Sequence, residues 1–496
     1  MKLSEYVQLD GTAIAQLVND KEMKKEEVIE LSYEQLHKVN ENLNAVTEIR
    51  RDKVLEEASS PEGEAIFNGV PIFLKDLSHT IKGELNTNGS KLFAQEKAGV
   101  TANFVRKMNE TGCLSLGYST TPEFGLKNIT EAKIHGPTRN PWNHERSPGG
   151  SSGGAAALVA SGVVPIATAS DGGGSIRIPA SFCSLVGLKP TRGRTPVGPG
   201  YGRQWHGAAV DFVLTKTVRD SAKMLTALQV IQPEAAFQTP LFPGRYEEAM
   251  KQPFSRPLKI AFSTESPVGT PVANDAKQAV EKVVNWLAKE GHNIEEVEHV
   301  VDGEKLMRDY YLMNSGEISA LIQRIETSLG RKIKPHEVEV ETWLLHRAGQ
   351  NVTAAEFSLS LTAWDVAAEK MARLHEKYDF FITPTTGFSA PRIGELTHRE
   401  EKEAELRETI DTLSSKDQQA LIYDMFFPSL AYTPFTQLAN LTGQPAISLP
   451  VHLTEAGLPL GVQVMAAKGE DVRLLQLAYK LEQTDLWIGI KGNPYF

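Results

Sequence analysis

Gly149–Arg177 reads GGSSGGAAALVASGVVPIATASDGGGSIR, and the rest of the chain is best understood outward from it. Two glycine-rich turns, each carrying serine, bracket an apolar run. Ser151 stands in the first turn and Ser175 in the second. Ala155–Ser161 predicts a short helix of small residues and Val163–Ala169 a strand, which makes SDGGGS (Ser170–Ser175) the turn that follows the strand. Consecutive glycines let the backbone turn so that successive N–H groups converge. The N–H groups of Gly172, Gly173, Gly174 and Ser175 are therefore candidate oxyanion donors, with the Ser175 hydroxyl beside them. A phosphate loop would place a lysine after its last glycine; here Arg177 and Pro179 follow. GGSSGG also fits the G-x-S-x-G elbow, with Ser151 as nucleophile, but that turn needs a strand before the serine. Asn140–Pro148 is a proline-rich loop, so the elbow reading fails.

A serine hydroxyl is a weak nucleophile until a base takes its proton. None of the 12 histidines sits in a recognisable motif. His79, His135 and His144 lie near the loops and read as ordinary core or surface residues. No metal-binding spacing such as H-E-x-x-H is present. Lysine is the other base available. NGVPIFLKD (Asn68–Asp76) reads as a turn, a short buried strand and a charged end, with Lys75 closing the apolar run. Burial disfavours the ammonium form and lowers a lysine pKa from its usual value of about 10.4. A surface pair of Lys75 with Asp76 is the plain alternative. The two serine loops tip the reading toward a base.

Outward from this centre, Asp10–Val46 predicts two amphipathic helices, Asn103–Thr111 a helix and Cys113–Gly117 a strand. Ile134–Pro148 and Lys189–Gly200 predict extended loops, and Gln238–Pro257 a linker. Asp220–Val230 predicts a helix. Leu258–Phe262, Asp275–Glu290 and Ile294–Val300 predict strand, helix and strand. Ala354–Tyr378 predicts a long helix leading into the strand Phe380–Thr383. Arg399–Lys416 is charge-dense and helical. Pro445–Val451 and Leu458–Ala466 predict a hairpin around Gly457. The alternation implies an α/β sheet with covered faces.

With 496 residues, 41% hydrophobic and 23% charged, the chain has ordinary globular composition. Length alone would allow two to four units of about 100–200 residues, but no shift in composition marks a boundary. The net charge of −10 argues against nucleic acid or an anionic membrane as the main partner. The most apolar stretch, Ala155–Ala169, is broken by Ser161, Gly162 and Pro165 and falls short of the roughly 20 residues of a spanning helix. Cys113 and Cys183 provide no disulfide framework and read as buried thiols. The start, MKLSEYVQLDG, has no apolar core of a secretory signal. The expectation is a cytoplasmic protein.

The chain resembles the amidase signature family. The resemblance rests on GVPIFLKD around Lys75, PEFG (Pro122–Gly125), GPTRNPWN (Gly136–Asn143), SPGGSSGGAAALVASG (Ser147–Gly162) and SDGGGSIRIPASFCSLVGLKPTRGR (Ser170–Arg194). DFFITPT (Asp379–Thr385) and GQPAISLPV…GLPLGVQVMA (Gly443–Ala466) extend it to nearly the whole chain. It implies one large mixed β-sheet covered on both faces by helices, without cofactor or metal. It implies a single domain over residues 1–496, with N-terminal helices over about 1–65 and a signature core over about 66–230. A variable α/β part over about 255–430 and a C-terminal hairpin and helix over about 431–496 follow.

The same resemblance implies a Ser–Ser–Lys triad: Ser175 as nucleophile, Ser151 as bridge on a cis peptide after Gly150, and Lys75 as neutral base. It implies that Ser152 orients Lys75 and that Asp171 and Arg177 hold the loop. Gly173 stands where many members carry threonine or alanine. Arg399–Lys416 is family-variable material expected to shape the substrate entrance. Phe124, Trp142 and Asn314 are candidate substrate-lining residues.

The implied reaction is hydrolysis of a carboxamide C–N bond through an acyl-enzyme. Among subgroups, the 6-aminohexanoate cyclic-dimer hydrolases are the most similar in texture, which points to small linear or cyclic amides. The A subunit of a glutamine-dependent tRNA amidotransferase is the alternative within the family. A non-catalytic anion-binding protein is the alternative outside it. The expected partner is a small-molecule amide, with a homodimer left open.

Overall fold

A computed structural model of the chain describes residues 1–59 and 65–496. Its centre is an 11-stranded mixed sheet. In spatial order the strands are Val46–Ile49, Leu114–Ser119, Pro71–Lys75, Ile166–Asp171, Val210–Thr215, Val186–Lys189, Ala446–Leu453, Pro459–Met465, Phe380–Pro384, Lys259–Phe262 and Asn293–Glu296. Helices pack against this sheet, as the α/β reading expects.

Two adjacent strands toward one end of the sheet place the candidate site residues. Pro71–Lys75 and Ile166–Asp171 run parallel, with Ile72 opposite Ile166 and Phe73 opposite Ala167. Parallel strands end on the same edge, so Lys75 comes out beside Ser170 and Asp171. Both strands are buried along their whole length; Pro71–Leu74 reads as a continuous apolar run, whereas Ile166–Asp171 (IATASD) also buries Thr168, Ser170 and Asp171. The helix Gly153–Ala160 is buried at every residue. Its small side chains permit this closeness: a Cβ on Gly154 would meet Thr120 Oγ1 at 2.4 Å and the Ala45 carbonyl at 2.8 Å.

A group of helices, including Gly303–Leu329, Val340–Gly349 and Ser415–Tyr432, builds a second apolar cluster around Ile318, Ile322, Leu344 and Phe426. Several of these elements have no counterpart in the sequence reading. Gly303–Leu329 turns Tyr310, Asn314 and Glu317 toward a cavity, and those polar positions dilute its apolar period. Val210–Thr215 is a strand buried on both faces, with a charged Asp211 in its run. Val186–Lys189 borders the expected Pro/Gly loop but pairs with two strands instead. The expected linker Gln238–Pro257 contains a short helix, Tyr246–Ala249. No helix among the described residues is long and apolar enough to cross a membrane.

Candidate active site

Lys75 is fully buried at the end of its strand. Its backbone N–H donates to Thr168 Oγ1 on the neighbouring strand at 2.8 Å, which fixes the strand end. Its Nζ lies 2.7 Å from Ser151 Oγ and 2.9 Å from Ser170 Oγ. Burial pushes the amine down to about 7, although the carboxylates of Asp211 and Asp171 pull the other way. A substantial neutral fraction therefore exists near pH 7, and a neutral amine can accept a proton. The Gly150–Ser151 peptide is cis.

Ser170 is a contact the sequence reading missed. Ser152, expected to orient Lys75, is one step removed from it. Its Oγ accepts from the Ser170 N–H at 3.4 Å and donates to the Ser170 carbonyl at 3.3 Å, so it grips the backbone of the residue that touches the amine. Ser170 opens the SDGGGS turn two residues before Gly172, and the sequence reading gave it no role.

The SDGGGS turn is built around Asp171. Arg177 reaches it through two hydrogen bonds, Nε to Oδ2 and Nη2 to Oδ1, both 2.9 Å. Asn440 Nδ2 donates to Oδ1 at 2.8 Å. Burial alone would raise the carboxyl, but the charge and hydrogen bonds of Arg177, with help from Asn440, outweigh it and hold the group at about 2. Asp171 also accepts the N–H groups of Gly174 at 2.7 Å and Ile176 at 3.2 Å. The expected set of four donors is thereby corrected. The Gly174 N–H is committed to Asp171 and is not available to an oxyanion, whereas no described residue takes the N–H of Gly172, Gly173 or Ser175.

Two side chains set the direction of the loop from outside. Tyr310 donates its hydroxyl to the Gly172 carbonyl at 2.9 Å, and Thr436 donates to the Gly173 carbonyl at 2.6 Å. Pulling a carbonyl one way turns the N–H of the same peptide the other way. At Gly174 (φ +128°) a Cβ would meet Thr436 Oγ1 at 2.3 Å, so only glycine fits there. Tyr310, Thr436 and Asn440 lie far along the chain from the motif, beyond the reach of local reading.

Ser151, Ser170, Gly172, Gly173 and Ser175 all open onto one cavity of about 740 Å³. Ser175 is half-buried, and its hydroxyl makes no hydrogen bond to any described residue. Among the described residues no histidine lines this space. His79 is buried against Phe104, with Nδ1 2.8 Å from Thr168 Oγ1 and Nε2 3.0 Å from Asp211 Oδ1, off the line of a hydrogen bond. His135 and His144 meet Thr87 and Tyr495.

Phe124 and Asn314 line the cavity, as expected. Asn314 accepts the indole N–H of Trp205 at 2.7 Å. Trp142 does not line it. Its indole donates to the Cys183 carbonyl at 3.0 Å, an anchor for the loop that carries it. Arg399–Lys416 does not shape this cavity either. Glu403 and Arg407 border a separate space of about 170 Å³ that touches neither serine, while Phe426 and Leu430 of the following helix wall the larger one. Cys113 and Cys183 are buried free thiols.

The family model described as Amidase matches residues 27–475. The chain belongs to the amidase signature family. Among curated relatives of this amidase-family chain, the lipoamidase of Enterococcus faecalis is 39% identical over 480 residues, covering 97% of this chain and 64% of that protein. The chain thus spans under two thirds of the lipoamidase's length. The 6-aminohexanoate-cyclic-dimer hydrolase of Pseudomonas sp. (strain NK87) is 34% identical, covering 97% of this chain and 95% of that protein. Among solved structures, 6-aminohexanoate cyclic dimer hydrolase complexed with substrate superposes with a TM-score of 0.86 at 33% identity. That match covers 96% of this chain and 97% of the other.

Proposed function

We propose that the protein hydrolyses the carboxamide C–N bond of a small, largely aliphatic amide through an acyl-enzyme on Ser175. The observation that carries this reading is the buried Lys75 amine, 2.7 Å from Ser151 Oγ and behind the cavity onto which both serines open. Ser175 Oγ adds to the amide carbonyl carbon, and its proton passes through Ser151 to Lys75. The oxyanion so formed meets the free N–H groups of Gly172, Gly173 and Ser175, each such donor contributing about 2.7–4 kcal/mol to barrier lowering in comparable sites. The C–N bond breaks as the proton returns through Ser151 to the leaving nitrogen. Water then adds to the acyl ester by the same relay, and the ester C–O bond breaks to release the acid and regenerate the Ser175 hydroxyl.

The walls favour an apolar acyl chain. Leu77, Phe93, Phe124, Ile178, Trp205 and Phe426 contribute to them. Relatives named lipoamidase and 6-aminohexanoate-cyclic-dimer hydrolase fit the same preference. Two free buried thiols support a reducing, cytoplasmic setting.

The test is a screen of purified protein against N6-lipoyl- and N6-octanoyl-lysine, 6-aminohexanoate cyclic dimer and glutamine, reading released amine. Turnover of an aliphatic amide that Lys75→Ala abolishes is the expected result. Turnover of glutamine alone would overturn the substrate class, and turnover that survives Lys75→Ala would overturn the mechanism.

A further inference from the structure

One helix lines the cavity for most of its length. Met307, Tyr310, Asn314, Glu317, Leu321 and Arg324 follow each other at alternating intervals of three and four, a single stripe of the 27-residue helix Gly303–Leu329, and all six border the cavity. Tyr310 marks the reacting end, because its hydroxyl is bonded to Gly172. Arg324 lies 14 residues further on, or about 20 Å along the axis at 1.5 Å per residue. The stripe passes from aromatic through Asn314 and Leu321 to a cation.

That cation has no partner. Among the described residues, Arg203, Arg324 and Arg399 are the only arginines whose guanidinium group makes no hydrogen bond or ion pair. Two of these three border this one cavity, from different elements. Arg203 belongs to the loop wall, two residues before Trp205, whose indole is bonded to Asn314 on the helix. Both arginines are exposed, as a rim requires. Glu317, the acid on the same stripe, is taken by His206, with Nε2 and Oε1 2.9 Å apart. Its charge is thus directed at the loop, and the arginines remain the uncommitted charges at the mouth. In a chain of net charge −10, two idle guanidinium groups at the edge of an apolar cavity are a local reversal of sign.

We propose that Arg203 and Arg324 form a rim subsite for carboxylate on an elongated amide substrate, bound with the amide at Ser175 and the acidic part at the cavity mouth. This rests on the amide-hydrolase reading above. Guanidinium matches carboxylate in geometry, and an exposed pair favours encounter and orientation more than tight binding. The carboxylate can belong to a free small molecule or to acidic residues flanking an acylated lysine in a polypeptide.

The experiment measures kcat/KM for N6-octanoyl-lysine in three forms: blocked at both ends and neutral, with a free carboxylate, and within a peptide flanked by glutamates. Dissociation constants for the same three are measured on Ser175→Ala protein, in which binding is read without turnover. The expected result is a preference for an anionic form over the neutral one that shrinks about three- to tenfold in Arg203→Gln/Arg324→Gln and with added salt, while Arg399→Gln keeps it. A preference confined to the free carboxylate assigns the subsite to small acids, and one confined to the peptide assigns it to acylated proteins. An equal preference in the double variant, or none in the unsubstituted protein by either readout, overturns the proposal even where the neutral amide is hydrolysed. Failure of all three to turn over, with a preference in binding still sensitive to the two arginines, would sink the amide reading and leave the subsite standing.

Discussion

Tyr310 Oη donates to the carbonyl of Gly172 at 2.9 Å, joining the long cavity helix to the glycine turn. The same hydroxyl lies 3.1 Å from where a Cβ on Gly173 would stand. Glycine at position 173 leaves that space for the tyrosine. Tyr310→Phe keeps the ring and removes the bond, so the Gly172–Gly173 peptide loses its anchor. A net hydrogen bond of about 1 kcal/mol corresponds to roughly fivefold, and the loss is expected mainly in kcat, with KM nearly unchanged. Steady-state kinetics on an aliphatic amide measure it. An unchanged kcat would show that the turn holds its N–H groups without Tyr310.

Lys75 gives the pH dependence its sign. Burial lowers the amine to about 7, and only its neutral form can take a proton. Activity is therefore low at acidic pH, rises through about 7 and stays high above it. A pH profile of kcat/KM whose acid limb lies near 7 is the expected outcome. A limb that persists in Lys75→Ala would belong to another group.

Ser175→Ala is expected to abolish turnover and covalent labelling by a fluorophosphonate, with circular dichroism unchanged. Mass spectrometry of the labelled protein should find the adduct on Ser175. An adduct on Ser151 in its place would exchange the proposed roles of the two serines.

Removing Arg177 leaves Asp171 as an unpaired buried carboxylate. Arg177→Met is expected to cost about 3–5 kcal/mol, as breaking one side of a buried pair does, read as a large fall in Tm. The pH course follows from the lowered Asp171 value of about 2. Its stabilisation is complete above the unfolded carboxyl pKa of about 4 and is lost as pH falls from there toward 2. Acid unfolding of the unsubstituted protein, compared with Arg177→Met, checks this.

Trp142→Phe removes the bond to the Cys183 carbonyl and is expected to cost about 1 kcal/mol of stability with KM unaltered. Phe124→Ala opens the cavity wall and should raise KM for an aliphatic amide several-fold. Thermal melts and kinetics on the pair separate anchor from wall.

The local elements that carry the candidate site residues were legible because their physics is local. An all-apolar strand ending in lysine, a helix of small residues and a glycine turn holding serine can each be read from a few adjacent positions. The nearby chain thus offered Lys75, Ser151 and Ser175 as candidates, and the family resemblance added Asp171 and Arg177. The sequence erred where a role depends on the folded geometry rather than on residue type. Trp142 stands in a motif but faces a backbone carbonyl. Gly174 offers an N–H that Asp171, three residues earlier, takes back through the shape of the turn.

What residue order alone determined is therefore the inventory: which side chains can react, and that the chain would bury them in an α/β sheet. Tertiary structure decided their use. It set strands Pro71–Lys75 and Ile166–Asp171 side by side, so that Ser170 as well as Ser151 meets the amine. It brought Tyr310, Thr436 and Asn440 from far along the chain onto one six-residue turn. Hydrogen bonds of that kind depend on distance in space, which separation in sequence does not encode, and burial of Lys75 is likewise a property of everything packed around it.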